Sequence, residues 1–375
     1  MRILIPSVSF YPAQEGGPSN ALYWLAKGFV KEGIDVSVVT TGRYIEDNKV
    51  ILDRWHCFEG IHIIYQSVKH YKFSIRLLRT NLKEVRNCDV VISNGLCYLP
   101  GFVLNTYALF KNKKVIISPR GEMFSTAIAN KGFGSKILKT CYFKFINLIY
   151  NKKVIYHATS VEERDSIIKM FGKNRKVVII PNYMVLPRHI HLSSNPYSGY
   201  LLYVGRIAPI KALDNLIRGL SKSKKFMESS LQLLLAGEIA GDYYKYLQTV
   251  IADNQMQHKV KFLGLVTGEA KNELYAKAKC LYLVSKSENF GNVVIEALAQ
   301  GTPVITSKGT PWASLASDGC GWWIDNEPAS IAKATDELLD MEEIAYNCMR
   351  QRCYDRCIND YDIYNNIDDW INLIK

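Results

Sequence analysis

Runs of consecutive apolar residues alternate along this chain with longer stretches of helical period. RILIPS (2–7) and IDVSVVT (34–40) predict buried strands, since a strand covered on one face only would alternate residue by residue. Between them, PSNALYWLAKGFVKEG carries apolar residues at helical spacing and closes on Gly33, a helix stop signal. The trio predicts a βαβ unit. DVVIS (89–93), KVIIS (114–118), VIYHAT (154–159) and KVVIIP (176–181) extend the series, with helical stretches between them. This pattern predicts a parallel sheet covered on both faces. A second series follows: GYLLYVG (199–205), LQLLLAG (231–237), KVKFLG (259–264), CLYLVS (280–285) and TPVITS (302–307). NYMVLPRHIHLSSNPYSG (182–199) separates the two series, has no clear period and reads as a linker.

The expected fold class is therefore α/β, with two Rossmann-like, doubly wound parallel-sheet domains. The N-terminal domain spans 1–185 and the C-terminal one 186–355. The last stretch, 356–375, predicts a helix with Tyr361, Tyr364 and Trp370 on one side. It suits either a return across the gap between the domains or simple packing on its own domain. Ligands in such folds bind at the C-terminal ends of the strands, so two facing domains would place the site in an interdomain cleft.

The length of 375 residues with 48% hydrophobic residues agrees with two globular domains rather than one core. Pro6 and Pro12 interrupt the start before a secretory apolar segment forms, and no apolar run is long enough for a transmembrane helix. The nine cysteines are scattered singly, without a C-x-x-C pair or metal spacing, which predicts buried reduced thiols, no metal site and a cytoplasmic location. Charge is uneven. Residues 1–185 hold 27 Lys and Arg against 13 Asp and Glu, whereas 186–375 hold 20 against 22. An anionic partner for the first half follows. Nucleic acid is disfavoured because no RNA-binding or helix-turn-helix signature accompanies the charge.

Candidate chemistry gathers in SENFGNVVIEALAQGTPVITS (287–307). Glu288 precedes an apolar helical run and Glu296 lies eight residues on, a helical rise of ~12 Å. A nucleoside diphosphate sugar has a similar span from ribose to hexose, and the N–H groups of a helix start suit the diphosphate between them. Read without a ligand, Glu288 is a loop acid complementing a helix dipole and Glu296 a solvated charge. The VVI and ALA that flank Glu296 make a poor place for a spare anion. YVGRIAPIK (203–211) places Arg206 after a strand and Lys211 at a helix start. Arg forks onto phosphate oxygens and Lys supplies a point charge, so the pair can stabilise a leaving diphosphate. As an isolated pair they read rather as surface cations. In EGGPSNAL (15–22), Gly16 and Gly17 permit close backbone approach to a ligand, with Ser19 or Asn20 as a helix cap; a plain tight turn is the other reading. The pattern is not the dinucleotide fingerprint G-x-G-x-x-G.

Taken with ATSVEERDSI and VVIIPN, these motifs resemble glycosyltransferase family 4, retaining sugar transferases of the GT-B fold, over essentially the whole chain. The resemblance implies that Glu296 holds the ribose, Arg206 and Lys211 the diphosphate, and Glu288 with the backbone of Asn289, Phe290 and Gly291 the donor sugar. Gly16 and Gly17 would face the same diphosphate, and Gly264 and Leu265 the base, with uracil preferred to guanine. There are departures. The stretch that corresponds to a histidine often found beside the reacting sugar is SPRGEMF, where Arg120 either takes its place or lines the cleft, and the usual Pro-Asn-Gly is Pro-Asn-Tyr, with Tyr183 in the glycine place and Asn182 as a hinge residue.

The implied reaction needs no cofactor or metal: the donor is a UDP-sugar or GDP-sugar, and the expected acceptor is a saccharide, lipid-linked, of a bacterial surface polysaccharide. A sugar-nucleotide epimerase of the same fold is the alternative from another enzyme class, and a non-catalytic scaffold the third reading. KGFGSKILKTCYFKFINLIYNKK (131–153) and HYKFSIRLLRTNLKEVR (70–86) interleave basic with apolar residues, which suits either docking on an anionic membrane surface or half-buried helices with a solvated basic rim.

Overall fold

The computed structural model describes residues 1–13, 17–43, 45, 49–68, 74–124, 133–151, 153–186, 199–239 and 241–375, with backbone only for 133–136. Gly16, the linker stretch 187–198 and the start of the second basic stretch, 70–73, lie outside the described residues. Packing divides the chain into a first unit, Met1–Val185 with Ile363–Lys375, and a second, Leu186–Asp362.

In the first unit, β1 (Arg2–Pro6), β2 (Asp35–Thr41), β3 (His56–Phe58), β4 (Ile61–Gln66), β5 (Val90–Asn94), β6 (Lys114–Ser118), β7 (Val154–Ala158) and β8 (Lys176–Ile179) form one sheet. Its order is β3, β4, β2, β1, β5, β6, β7, β8. Every pairing is parallel except β3 with β4. Successive residues of each strand enter different cores: Ile3 and Ile5 of β1 join one cluster and Leu4 the other. Helix α1 (Gly17–Lys31) covers the first face; α2 (Ile75–Asn87), α3 (Leu99–Phe110), α4 (Phe133–Tyr150) and α5 (Val161–Phe171) cover the second.

β3 and β4 have no counterpart among the strands that the apolar runs predict. They meet in a two-residue hairpin whose central Glu59 (φ 50°) and Gly60 (φ 82°) are both left-handed, the geometry of a type I′ turn. Glu-Gly lacks the Asn-Gly signal that advertises such turns. Helix α1 also begins earlier than a cap at Ser19 or Asn20 would allow. Ser19 lies inside it, and its hydroxyl bonds that of Ser9 at 2.7 Å.

In the second unit, β9 (Tyr200–Val204), β10 (Leu233–Ala236), β11 (Val260–Gly264), β12 (Ala278–Leu283), β13 (Val304–Ser307) and β14 (Gly321–Ile324) form a parallel sheet in the order β11, β10, β9, β12, β13, β14. Edge strand β14, GWWI, was also missed, because four residues carry too little period to register. Its partner strand runs so close that a Cβ on Gly321 would lie 1.9 Å from the Val304 carbonyl oxygen. The helices are α6 (Leu213–Lys222), α7 (Lys224–Glu228), α8 (Gly241–Asp253), α9 (Gly268–Ala276), α10 (Asn292–Leu298), α11 (Ser314–Ser317), α12 (Pro328–Leu339) and α13 (Glu343–Tyr361).

The helix expected over 356–375 is three pieces. α13 ends at Tyr361, and after an extended Asp362 come α14 (Ile363–Asn366) and α15 (Asp368–Ile374). Its aromatic residues do not share a face. Tyr361 packs against Trp312 at 5.5 Å in the second unit, while Trp370 lies against Phe29 at 6.3 Å in the first. Ile363, Ile367, Trp370, Ile371 and Ile374 complete the core over α1. Gly28 permits that approach, since a Cβ there would fall 2.6 Å from Ile363. At the far end, the Lys114 ammonium donates to the Leu373 and Ile374 carbonyls, both at 3.1 Å, which satisfies two orphan groups of the last turn. Tyr183 has a structural reason to stand where a glycine was expected: it is buried in the same core, and its hydroxyl donates to Asp369.

All nine cysteines are free thiols, but only five are buried; Cys57, Cys97, Cys141 and Cys348 are exposed, so the expectation of uniformly buried thiols fails for those four.

Candidate functional site

In each sheet the first strand has neighbours reached in opposite directions along the chain, and at such a switch point the loops after two adjacent strands diverge and leave room for a ligand. In the second unit this place lies between β9 and β12. The loop after β9 carries Gly205, Arg206 and a 3₁₀ turn, Pro209–Lys211, which Ala212 closes in a left-handed conformation (φ 51°). The loop after β12 carries Ser285 to Gly291. Two backbone bonds pin it: Lys286 N–H to the Ile210 carbonyl and Glu288 N–H to the Gly309 carbonyl, each 2.8 Å. The fit is close. A Cβ on Gly309 would come 2.4 Å from the Ser285 carbonyl oxygen.

Across this junction the Lys211 ammonium donates to the Glu288 carboxylate, with both side chains largely buried, and the Ser285 hydroxyl reaches the same oxygen at 3.3 Å. Phe290 is buried, and its carbonyl accepts from the Trp312 indole. Gly291 turns the chain into α10 with φ 87°, and a Cβ there would sit 2.7 Å from Leu283. The helix starts at Asn292, four residues after Glu288, so the rise of 1.5 Å per residue assumed for the whole Glu288 to Glu296 interval applies only to its second half.

Glu296 is buried on α10 and is not a solvated charge. One carboxylate oxygen accepts from Lys271 Nζ at 2.9 Å and the other from the Tyr275 hydroxyl at 2.7 Å. Burial and then the Glu296 charge push the Tyr275 phenol far above its ordinary range. Lys271 and Tyr275 were missed. Their signal was present in KNELYAKA, where the two residues stand four apart and so share one face of α9. Arg206 is exposed, and its guanidinium makes no side-chain hydrogen bond among the described residues. Gly264 ends β11 in a left-handed conformation (φ 74°), and Leu265 after it is 62% exposed. The structure thus joins Lys211 to Glu288 and sets Asn289 to Gly291 at the start of α10. Glu296 is joined instead to α9.

In the first unit the switch point lies between β1 and β5. A shallow hollow opens there, lined by Ser7, Asn81, Ser93, Asn94 and Tyr98 among apolar residues. Gly17 is the first residue of α1. Arg120 stands in a left-handed conformation (φ 55°) after β6, and its Nε and Nη1 donate to the Oδ1 atoms of Asn94 (3.1 Å) and Asn182 (2.6 Å). Burial lowers its guanidinium pKa, and the nearby Glu163 charge opposes that.

Glu163, itself buried, braces this turn. One of its oxygens accepts from Gly121 N–H at 2.7 Å, the other from Thr159 N–H and Oγ1, both 2.8 Å, while Ser160 caps the start of α5. Behind lies His157. Its Nε2 meets the Ile180 carbonyl at 2.7 Å, an acceptor only, so Nε2 carries the proton and Nδ1 accepts from the Ser118 hydroxyl at 2.7 Å. Burial first and the Arg120 charge second push this imidazole down to about 3, which leaves it neutral.

Among the described residues no helix is long and apolar enough to cross a membrane. Two family models match the chain: Glycosyltransferase Family 4 over residues 15–184 and Glycosyl transferases group 1 over residues 191–355. An O-antigen chain mannosyltransferase, RfbU, of Salmonella typhimurium is 30% identical over 47% of this chain and 48% of its own length. The chain thus spans about half the length of that relative. A GDP-mannose:cellobiosyl-diphosphopolyprenol alpha-mannosyltransferase of Xanthomonas oryzae is 24% identical over 90% of this chain and 86% of its own. Among solved structures, Anabaena Alr3699/HepE in complex with UDP superposes with a TM-score of 0.75 at 17% identity, covering all of both chains. The glycosyltransferase WaaG, involved in lipopolysaccharide biosynthesis, gives 0.68 at 15% identity over all of this chain and 99% of that one. These two likenesses establish the GT-B fold, and with both halves matched by their family models the chain belongs to glycosyltransferase family 4.

Proposed function

We propose that the protein is a retaining, metal-independent glycosyltransferase that moves a sugar from a UDP- or GDP-sugar to a hydroxyl of a lipid-linked saccharide during synthesis of a bacterial surface polysaccharide. One observation carries the reading: Lys211, Glu288 and the loop bearing Arg206 meet at the switch point of the second sheet, beside the start of α10. A diphosphate there gains a forked guanidinium, an ammonium and helix N–H groups at the place where charge develops as the leaving group departs. Glu288 takes the sugar hydroxyls, and Asn289, Phe290 and Gly291 offer backbone. Glu296, held by Lys271 and Tyr275, accepts from the ribose; Gly264 and Leu265 border the base. In the first unit, Gly16, Gly17 and Arg120 keep the roles that the family resemblance implies. The acceptor hydroxyl attacks the anomeric carbon on the face that the diphosphate leaves, and a diphosphate oxygen takes its proton, so catalysis rests on positioning and charge.

Relatives named for O-antigen and diphosphopolyprenol mannosyl transfer support the polysaccharide setting and the lipid-linked acceptor, and place GDP-mannose beside the UDP-sugars as a donor to test. Such an acceptor favours a cytoplasmic enzyme held at the inner face of the cell membrane. The test is thermal shift against a panel of UDP- and GDP-sugars, followed by transfer to a polyprenol-linked saccharide with and without EDTA. Stabilisation by one nucleotide series and transfer that EDTA leaves intact, with the anomeric configuration kept in the product, support the proposal. An isomerised donor formed without acceptor would instead establish the epimerase reading, which the named relatives do not favour.

A further inference from the structure

The outer side of α3 and α4 is apolar where a covering helix should be polar. On α4, Ile137, Cys141, Phe145 and Leu148 are exposed at i, i+4, i+8 and i+11, one stripe along the helix, while Phe143, Ile146 and Tyr150 occupy the opposite, buried side. Leu138 flanks the stripe, and Lys144 stands within it. On α3, Leu99, Val103 and Phe110 are exposed at i, i+4 and i+11, a second stripe. The two are neighbours. The Phe102 ring bridges the helices, 5.7 Å from Phe145 and 5.8 Å from Tyr150. Phe110, Leu138 and Leu148 are each more than 70% exposed. Single exposed apolar residues need no explanation, but a continuous patch across two helices does.

The charge beside the patch says what covers it. α2 packs against α3 and presents Arg76, Arg79, Lys83 and Arg86 on one exposed face, and Arg86 reaches over to the Tyr107 hydroxyl at 3.1 Å. Lys111 lies over the Phe110 ring at 5.3 Å at the end of α3. Residues 75–153 carry 14 Lys and Arg against three acids, Glu84, Asp89 and Glu122. A protein partner with an apolar face would need a matching acidic surface, whereas an acidic bilayer offers apolar depth and negative charge at once. We propose that α3 and α4 dock on an anionic phospholipid bilayer. Leu99, Val103, Phe110, Ile137, Leu138, Phe145 and Leu148 enter the boundary between headgroups and acyl chains, and the α2 cations lie against the phosphates. This rests on the membrane placement given under the proposed function and assigns it a surface. α3, which the sequence patterning left out, supplies half of the apolar face.

Cosedimentation of the full chain with vesicles tests it. Wild type is expected to bind vesicles of phosphatidylcholine mixed with phosphatidylglycerol, to bind pure phosphatidylcholine far less, and to be released at about 1 M salt, where the Debye length falls to about 3 Å. Phe145→Ser combined with Leu148→Ser should lower the partition constant on the order of tenfold or more, because both substitutions remove apolar area from the insertion. Arg79→Glu combined with Lys83→Glu, which leaves the apolar stripe intact, should weaken binding to the mixed vesicles alone. Leu148→Trp should show a blue-shifted emission on adding mixed vesicles. All these sites are exposed, and an unchanged thermal midpoint certifies folding. Equal binding to both vesicle types, equal binding by the serine variant, or a dimer in solution that the serine variant abolishes would each overturn the proposal; the last would assign the face to a second copy of the chain. Vesicle binding is read without donor or acceptor, so the transfer reaction can fail independently of it.

Discussion

Replacing Glu296 by Gln removes one charge and keeps the shape, and its cost follows from the two bonds that the carboxylate makes. The side chain is 8% exposed, while Lys271 at the other end of the ion pair is 22% exposed. Exposed pairs contribute ~0–1 kcal/mol, and breaking a fully buried one costs ~3–5 kcal/mol. A pair with one end buried and the other partly wet belongs near 2 kcal/mol on these scales. The Gln carbonyl oxygen still accepts from the Tyr275 hydroxyl, so that bond survives. Ala leaves this buried phenol without its acceptor and should cost a further ~1–3 kcal/mol.

With ~2–4 °C per kcal/mol for a unit of this size, Glu296→Gln should lower the thermal midpoint of the second unit by ~4–8 °C, and Glu296→Ala by more. Differential scanning calorimetry of the intact chain reads both. A shift under ~1 °C for Gln, or equal shifts for Gln and Ala, would refute the bonding argument. Titration with UDP and GDP then separates structure from binding. If the carboxylate also receives the ribose hydroxyls, Gln loses charge-assisted bonds worth ~1.5–3 kcal/mol, a loss of roughly 10- to 150-fold in affinity. A destabilised variant with intact nucleotide affinity would leave Glu296 a purely structural residue.

Arg206→Ala should leave the thermal midpoint unchanged, because the side chain is exposed, yet weaken UDP or GDP binding about tenfold or more by calorimetry. Unchanged affinity would remove Arg206 from the donor site. His157 is held neutral in the folded chain down to about 3, against 6.5 unperturbed, so the unfolded chain binds the extra proton first as pH falls. The stability it contributes is whole above about 6.5 and is lost progressively down to about 3. Urea midpoints followed from pH 7.5 to about 4 should fall less steeply in His157→Phe than in wild type, and parallel curves would discount this linkage. Gly237→Ala should be far more damaging than Gly28→Ala. The new Cβ would meet the Gly205 carbonyl oxygen at 1.9 Å, in backbone that cannot yield, whereas at Gly28 it meets side-chain atoms only, Ile363 Cγ1 at 2.6 Å and Ile367 Cδ1 at 2.8 Å. Equal losses of thermal midpoint would contradict that ordering.

Much of this molecule was legible in one dimension, because buried parallel strands need continuous apolar runs and their connections need helical period. From β1 and β2 through β13, those runs fixed where most strands begin and end to within a residue or two. The strands that escaped, β3, β4 and β14, lie toward sheet edges, where a three- or four-residue strand or an unadvertised Glu-Gly turn leaves little pattern. Glu288, Glu296, Arg206 and Lys211 could be singled out because loops after strands and helix starts are where charge has chemical use.

Which of these residues meet was decided in three dimensions. Lys211 and Glu288 stand 77 positions apart in the sequence, which carries no sign of their bond; it exists because β9 and β12 are neighbours in the sheet. In the same way Lys271 and Tyr275, unremarkable on α9, became the partners of Glu296 once α9 packed on α10. The stripe of α4 reads in sequence either as a docking face or as a half-buried helix, and α3 gives no such signal, since periodicity marks an apolar face without saying what lies against it. Local pattern determines what each segment can become. Strand order then determines which side chains share a space, because pairing joins residues that the chain itself keeps far apart.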